Sequence, residues 1–187
     1  YFENKQFDEY YKFLVDYNNK VNLTAITEYE EVMIKHFFDS LTLNTVLENK
    51  NITLCDVGAG AGFPSVPVAI YRNEIKVTII DSLNKRIVFL NELIKRPGLS
   101  NVSAFHSRAE EFVVKKRETF DVCTARAVAR LNILAELCLP LVKINGYFIA
   151  MKGKTSEEEL GEALKAIEVL GGKVEKTVNF ELPNNSG

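Results

Sequence analysis

From residue 51 onward, short runs rich in β-branched residues alternate with longer stretches of helical periodicity. Each predicted strand is followed by a predicted helix: 52–57 then 63–72, 76–81 then 84–95, 101–105 then 108–116, 120–125 then 131–141, and 147–152 then 156–170. A sixth strand, VEKTVNFEL, is predicted at 174–182. This alternation is typical of a parallel sheet with helices on both faces. The predicted class is α/β, with a doubly wound, mostly parallel sheet.

Two amphipathic helices are predicted before this region. The first, within 1–21, places five apolar side chains at helical spacing: Phe7, Tyr10, Tyr11, Leu14 and Tyr17. Thr27 and Glu30 have the spacing of a capping box. The helix after this box presents four residues to a core: Met33, Phe37, Leu41 and Val46. We expect a single domain in which a helical extension at 1–50 packs on an α/β core at 51–187.

Composition removes several classes of protein. Of the 187 residues, 47% are hydrophobic, which is enough for one sizeable core. The 23 basic and 25 acidic residues give a net charge of −2, which disfavours a general nucleic-acid binder but allows a local basic patch. The apolar runs are too short to span a membrane. We expect a cytoplasmic monomer, and, because the first residue is Tyr1, a native start that lies upstream.

The three cysteines form no C-x-x-C pair, so their spacing indicates neither a disulfide framework nor a zinc site. Cys55, Cys123 and Cys138 all lie among apolar neighbours. We therefore expect them to be reduced core residues, and we expect no metal site.

The sequence LCDVGAGAGFP at 54–64 joins the first strand of the alternating region to its helix. Ligands of such sheets bind at the carboxyl ends of the strands, where this loop lies. Gly58, Gly60 and Gly62 follow a G-x-G-x-G pattern, and Phe63 stands where a dinucleotide-binding loop needs a glycine beneath the pyrophosphate. The spacing therefore argues against NAD or FAD.

Two acids accompany the loop. Asp56 directly precedes it, which is unfavourable beside a pyrophosphate but suits a positively charged ligand. Asp81 ends the second strand, where a carboxylate can accept hydrogen bonds from ribose hydroxyls. A ligand with a ribose, a positive charge and no phosphate is S-adenosyl-L-methionine (SAM). The alternative interpretation is a glycine-rich turn with two capping acids.

The chain resembles the RsmG (GidB) family in a series of ordered blocks. These are VNLTAI at 21–26, KHFFDSL at 35–41, DVGAGAGFPSVP at 56–67, DSLNKRIVFL at 81–90, SRAEEF at 107–112, TARAVARL at 124–131, LPL at 139–141 and MKG at 151–153. Members of that family are SAM-dependent methyltransferases that modify the N7 of one guanine in bacterial 16S ribosomal RNA. The resemblance implies the same activity, cofactor and RNA partner here.

The resemblance also implies a set of cofactor contacts: Gly58, Phe63, Ala109, Glu110 and Arg126. Together with the loop residues, the predicted cofactor site comprises Asp56, Gly58, Gly60, Phe63, Asp81, Ala109, Glu110 and Arg126. The family sheet has seven strands and ends in an antiparallel hairpin, so we expect the last strand of the core and a basic tail to be missing here.

Guanine N7 carries a lone pair and no proton, so its methylation needs no general base. Catalysis then depends on positioning and on electrostatic complementarity. The sequence lacks the Asn/Asp-Pro-Pro-aromatic motif of amine methyltransferases and the Pro-Cys pair of carbon methylation. The sequence leaves three alternatives open. The protein could methylate a ribose 2′-oxygen with the help of Lys85 or Lys152. It could instead be a small-molecule methyltransferase whose N-terminal helices form a lid, or a non-enzymatic assembly protein that binds a nucleoside.

Several polar residues near the predicted ligand edge are candidates for RNA contact: Asn22, Thr24, Lys85, Arg86, Arg130 and Lys152. Asn22 and Thr24 are equally well explained as loop and cap residues. No catalytic base is assigned, and Arg126 and Arg130 are the candidates for positioning the reactants. His36 and His106 are expected to be packing or capping residues.

A guanidinium near a sulfonium is costly unless it is offset. We therefore expect a carboxylate or a backbone carbonyl to hold Arg126. Arg130, four residues on, is expected to share a helical turn with it and to point outward to an RNA phosphate.

Overall fold

The computed structural model describes residues 4–47, 51–96, 98–126, 128–153 and 156–183. The N-terminal part contains α1 (Lys5–Val21), α2 (Tyr29–Val32), a π-helical turn (Met33–Phe38), α3 (Asp39–Leu41) and a 3₁₀ turn (Thr42–Thr45). The alternating part contains β1 (Thr53–Val57), α4 (Ser65–Tyr71), β2 (Lys76–Asp81), α5 (Asn84–Lys95), β3 (Val102–His106), α6 (Ala109–Lys116), β4 (Phe120–Arg126), α7 (Leu131–Cys138), a 3₁₀ turn (Leu139–Leu141), β5 (Val142–Met151) and α8 (Ser156–Val169). The predicted α/β class is confirmed.

The five strands of the described ranges form one parallel sheet in the order β3-β2-β1-β4-β5. The chain starts at the central strand β1, builds outward to β3, and then returns to β4 on the other side of β1. Between β1 and β4 the strand order reverses, and the loop after β1 therefore opens beside the end of β4. This is the place where open α/β sheets bind their ligands.

Side chains of β1 alternate between two apolar cores, one on each face of the sheet. Leu54 belongs to the core formed with α1, α4 and α5, whereas Cys55 and Val57 belong to the core formed with α6 and α7. Cys55, Cys123 and Cys138 are all buried and unbridged in the second core, as predicted. Because β1 is buried on both faces, its sequence is an apolar run and does not alternate between apolar and polar residues.

The first helix docks on the glycine loop through aromatic side chains. Tyr10 is fully buried, stacks on Phe63 with 5.3 Å between ring centroids, and donates its hydroxyl hydrogen to the Ala61 carbonyl at 2.5 Å. One turn further on, Phe13 stacks on Phe89 of α5 at 5.2 Å. The predicted amphipathic helix is therefore confirmed, and it forms one wall beside the loop.

Two local predictions are wrong. The capping box does not form, because Glu28 is the N-cap of α2 and makes no side-chain capping bond, while the Thr27 carbonyl accepts the Tyr11 hydroxyl at 3.1 Å. Residues 174–182 form no strand within the described part of the chain. None of the described strands pairs with this segment, and its Val174, Val178 and Phe180 are exposed.

None of the helices in the described ranges has both the length and the apolar character needed to cross a membrane.

Candidate active site

The three loop glycines have positive φ angles of 75° at Gly58, 61° at Gly60 and 102° at Gly62. A Cβ added to Gly58 would lie 2.8 Å from a Val128 methyl, and one on Gly62 would lie 2.8 Å from the Tyr10 hydroxyl. A Cβ on Gly60 would meet no atom within 4 Å. The outer two glycines are thus required by packing, whereas Gly60 faces open space beside which a ligand can approach the backbone.

Asp81 lies against the middle of the loop. It is buried, and its Oδ2 accepts the Gly60 N–H at 3.2 Å while Oδ1 accepts the Leu83 N–H at 2.9 Å. Arg86 forms an ion pair with the same Oδ2 at 3.2 Å. The carboxylate is therefore fixed beside the open glycine, and Arg86, expected to be near an RNA phosphate, is turned toward this acid.

Asp56 lies on the buried side of the loop, at the start of α4. Its Oδ2 accepts the Ser65 N–H at 3.2 Å, while its Oδ1 and the Ser65 hydroxyl have no hydrogen-bond partner among the described residues. Burial raises the pKa of Asp56 to about 7, although the Ser65 hydrogen bond and the Arg126 charge act in the opposite direction. The carboxyl of Asp56 therefore keeps its proton to a higher pH than an ordinary aspartate does, and no part of it reaches the surface.

Arg126 ends β4 and is held by a single helical segment of the N-terminal extension. Its Nη1 forms an ion pair with Asp39 Oδ2 at 2.7 Å and donates to the Lys35 carbonyl at 3.3 Å. Its Nη2 donates to His36 Nδ1 at 3.3 Å, and the guanidinium lies 5.1 Å from the centre of the Phe63 ring. The prediction that a carboxylate or a carbonyl holds Arg126 is confirmed, since both do.

His36 connects this arginine to the segment between α1 and α2. Its ring stacks on Phe63 with 4.5 Å between centroids and 20° between planes, and its Nε2 lies 2.8 Å from Thr24 Oγ1. Burial, together with the charge of Arg126, lowers the pKa of His36 to about 4, so the ring is neutral at physiological pH. Because a guanidinium can only donate, Nδ1 must accept and Nε2 carries the hydrogen donated to Thr24.

Sequence reasoning missed this cluster. His36 was expected to pack, which it does, but its link between Thr24 and Arg126 was not foreseen, and Asp39 was not singled out. The available signal was KHFFDSL, in which His36 and Asp39 are three residues apart and therefore lie on one face of a helix.

The remaining predicted residues are spread around the same edge of the sheet. Ala109 and Glu110 are the first residues of α6. Two residues before this helix, the Ser107 N–H donates a hydrogen bond to the Asp81 carbonyl at 3.2 Å. Lys85 is exposed, with its Nζ 3.5 Å from the Val21 carbonyl. Asn22 is the left-handed C-cap of α1, with a φ of 49°.

Two basic residues have protein partners that sequence reasoning did not foresee. Lys152 is only 14% exposed and is held by Glu159 at 2.7 Å and by the Ala129 carbonyl at 2.9 Å. Arg130 is exposed but forms an ion pair with Glu162 of α8. The expectation that Arg130 shares a helical turn with Arg126 is wrong, because Arg130 is the extended N-cap of α7, whereas Arg126 is the last residue of a strand.

Among the residues that the structure describes, no three His, Cys, Asp or Glu side chains are grouped so as to hold a metal ion. The polar groups beside the loop are backbone N–H groups, carboxylates, one imidazole and the guanidinium groups of Arg86 and Arg126.

Comparison with known proteins identifies the family. The family model for rRNA small subunit methyltransferase G, GidB, matches residues 3–186. The chain belongs to the GidB family. A GidB-family relative from Staphylococcus epidermidis, Ribosomal RNA small subunit methyltransferase G, is 54% identical over 187 residues, which cover 99% of this chain and 78% of the relative. A relative of the same name from Ligilactobacillus salivarius is 56% identical over 185 residues, covering 96% and 77%.

Solved structures share the fold of this GidB-family chain at lower sequence identity. A SAM dependent methyltransferase from Aquifex aeolicus has a TM-score of 0.55 and 19% identity over 77% of this chain and 83% of its own. The precorrin-6y C5,15-methyltransferase from Geobacter metallireducens has a TM-score of 0.56 and 16% identity over 71% and 70%. These two structures confirm the fold, whereas the family resemblance inferred from the sequence is confirmed by the family model and by the relatives of 54% and 56% identity.

Replacing Asp56 with asparagine should make stability less dependent on pH between about 4 and 7. The ordinary pKa of an aspartate is 3.8, whereas folded Asp56 keeps its proton up to about 7. In this window the folded state binds more protons than the unfolded state. The contribution of Asp56 to stability therefore falls as pH rises, by up to about 1.4 kcal/mol per pH unit.

Asparagine resembles the protonated carboxyl and does not titrate. In urea titrations of both proteins, the free energy of unfolding of Asp56→Asn minus that of the wild type should increase from about pH 5 to about pH 7. Groups that titrate equally in both proteins cancel from this difference. A difference that stays constant with pH would mean that Asp56 is already ionised in the folded protein.

Proposed function

We propose that this chain transfers the methyl group of SAM to the N7 of a guanine in the 16S RNA of the small ribosomal subunit. The observation that carries the proposal is the match to the rRNA small subunit methyltransferase G family over residues 3–186, with relatives of that name at 54% and 56% identity. In this proposal 1–50 and 51–187 act as one methyltransferase domain in the cytoplasm. The extension supplies the side of the site that faces the RNA.

The residues around the loop fit SAM. Gly60 leaves open space for a ligand, and Asp81 is fixed next to it with a carboxylate suited to ribose hydroxyls. We assign Gly58, Phe63, Ala109 and Glu110 to the same cofactor site, since they line the loop or begin α6 at the same edge. When bound, SAM supplies an electrophilic methyl group.

Asp56 supports the cofactor site from beneath rather than from the open side. It holds the start of α4 through the Ser65 N–H, and its charge lies in the buried region shared with Arg126 and Asp81. A cation bound at the loop would favour the ionised form of Asp56, because opposite charges attract across a poorly screened interior. We therefore keep Asp56 in the cofactor site as an electrostatic partner.

The side chains around the loop suit a reaction that requires no proton removal. Both nitrogens of His36 are occupied, by Arg126 and by Thr24, and its lowered pKa makes it a poor base. Asp56 is buried, and Asp81 is bound on both oxygens. Guanine N7 is a nucleophile without a proton, so the chain needs only to orient the base and to exclude water.

A lysine-based 2′-O reaction is less well supported. Lys152 is paired with Glu159 and the Ala129 carbonyl, which holds its amino group as a bound cation. Lys85 is exposed beside the end of α1, a position that suits an RNA phosphate. We assign Lys85 and Asn22 to the RNA side and Arg126 to the junction between RNA and cofactor. Arg130 can join the RNA side if a phosphate replaces Glu162 as its partner.

The proposal is tested by incubating the protein with SAM that carries a labelled methyl group and with small-subunit RNA, both as naked RNA and as assembled subunits. We expect labelled 7-methylguanine at one nucleotide, located by mass spectrometry of nuclease digests. Transfer should weaken steeply as salt rises, because phosphate contacts release counterions. Label on a ribose oxygen or on an exocyclic amine, or none on either RNA substrate, would contradict the proposal.

Gly60→Asn should reduce SAM affinity, because the side chain fills the open space while asparagine tolerates the positive φ. Calorimetry should show an about 100-fold higher dissociation constant, and the melting temperature should fall no further than in a variant with the same strain at another open glycine. Gly98→Asn is the matched control, since Gly98 has a φ of 67° and also open space, but lies after α5. Equal SAM affinity in the two variants would show that the ligand does not approach Gly60.

A further inference from the structure

Thr24 lies in the segment that joins α1 to α2, and one side chain of α1 fixes its backbone. Asn18 Oδ1 accepts the N–H of Leu23 at 2.6 Å and the N–H of Thr24 at 2.9 Å, while Asn18 Nδ2 donates to the Thr24 carbonyl at 3.0 Å. Three hydrogen bonds to one amide hold two consecutive residues. Thr24 is therefore positioned in advance, as a group that reads a substrate needs to be.

The hydroxyl of Thr24 has no capacity left to accept a hydrogen bond. His36 donates its Nε2 hydrogen to Oγ1 at 2.8 Å, and the Ile26 N–H donates to the same oxygen at 3.1 Å. These two bonds use both lone pairs of the hydroxyl oxygen. Among the described residues none accepts the hydroxyl hydrogen of Thr24, so this half-buried group is available to a bound molecule as a donor only.

The donor lies at the ligand edge of the sheet. The ring that carries the Nε2 hydrogen also binds Arg126 at the end of β4 and stacks on Phe63 at the exit of the glycine loop. One imidazole ring therefore separates Thr24 from the arginine that we place where RNA and cofactor meet. A base held at that junction would therefore lie beside the side chain that binds the Thr24 hydroxyl.

We propose that Thr24 donates its hydroxyl hydrogen to O6 of the target guanine and thereby selects guanine over adenine. This inference rests on the proposed function. O6 is an acceptor and lies next to N7 on the same edge of the base, whereas adenine presents an amino donor in its place. Two donors facing each other leave both unsatisfied, which is how a polar site rejects the wrong base.

The test uses the full chain and small-subunit RNA that carries guanine, adenine, inosine or 2-aminopurine at the nucleotide methylated by the wild type. Inosine keeps O6 and N7, whereas 2-aminopurine keeps N7 and lacks O6. We expect wild-type kcat/KM to be similar for guanine and inosine and about 10- to 100-fold lower for 2-aminopurine. Thr24→Val should lower kcat/KM for guanine about 10-fold and leave 2-aminopurine nearly unaffected.

The ratio of kcat/KM for guanine to kcat/KM for 2-aminopurine is compared between variants, because this comparison cancels the intrinsic difference in N7 reactivity between the two bases. Thr24→Ser keeps a hydroxyl and should keep most of the guanine preference. Thr45→Val is the matched control, because the Thr45 hydroxyl is exposed in the same extension and donates locally to the Thr42 carbonyl at 2.8 Å. It should behave as the wild type does.

His36→Phe provides a second test that keeps both the Thr24 hydroxyl and a ring able to stack on Phe63. Without the Nε2 hydrogen, one lone pair of Thr24 becomes free to accept the amino group of adenine. The preference for guanine over adenine should then fall about 10-fold, even if Thr24→Val does not fold.

An unchanged preference for guanine over 2-aminopurine in Thr24→Val, or for guanine over adenine in His36→Phe, would overturn the inference. So would a loss in Thr24→Ser as large as in Thr24→Val. These results leave the proposed function intact, since the wild type still methylates the RNA. If the wild type methylates none of the RNAs, the proposed function fails, and this inference fails with it.

Discussion

The ion pair between Arg126 and Asp39 joins the N-terminal helices to the carboxyl edge of the sheet. Arg126 is 16% exposed and lies close to the buried Asp56, so a charge at this position requires a nearby partner. The extension provides the carboxylate, a carbonyl and an imidazole acceptor from residues 35–39. The two parts of the chain therefore both contribute to the cluster around Arg126, and neither part contains this cluster alone.

The charges around the loop are largely balanced before any ligand binds. Asp81 is paired with Arg86, Arg126 is paired with Asp39, and Asp56 retains a substantial fraction of its proton near neutral pH. The sequence shows two acids beside a glycine loop and so suggests a strongly negative pocket. Ion pairs and burial reduce the negative charge of the pocket. A bound cationic ligand would increase this negative charge again, because it favours the ionised form of Asp56.

Local periodicity predicted the sheet well, because the three central strands β2, β1 and β4 are largely buried runs that are each followed by a stretch of helical spacing. Helix α5, for example, spans Asn84–Lys95, the predicted range. Two local predictions failed. Residues 174–182 have β-like composition but form no strand among the described residues, and α2 has Glu28 rather than Thr27 as its N-cap. Composition and spacing show which residues favour a strand or a cap, but not whether the chain places a pairing strand or a helix start there.

The site was predicted in part for the same reason. The loop follows β1, and Asp81 and Arg126 are the last residues of β2 and β4. Their places could therefore be predicted from the order of the elements. The cluster around His36 could not, because Asp39 and Arg126 are 87 positions apart and only the docking of α1 and the π-helical turn brings them together. Likewise, the partners of Lys152 and Arg130 come from α8, which periodicity predicts as a helix without showing where it packs.

The most direct test of the account is a double-mutant cycle on Asp39→Asn and Arg126→Gln, with SAM affinity measured by calorimetry. If the extension holds Arg126 in place for the cofactor, Asp39→Asn should weaken binding about 5- to 10-fold in the presence of Arg126 and have almost no effect in Arg126→Gln. The coupling energy should then be about 1 kcal/mol or more. Additive effects, within about 0.3–0.5 kcal/mol, would show that the two parts of the chain contribute independently.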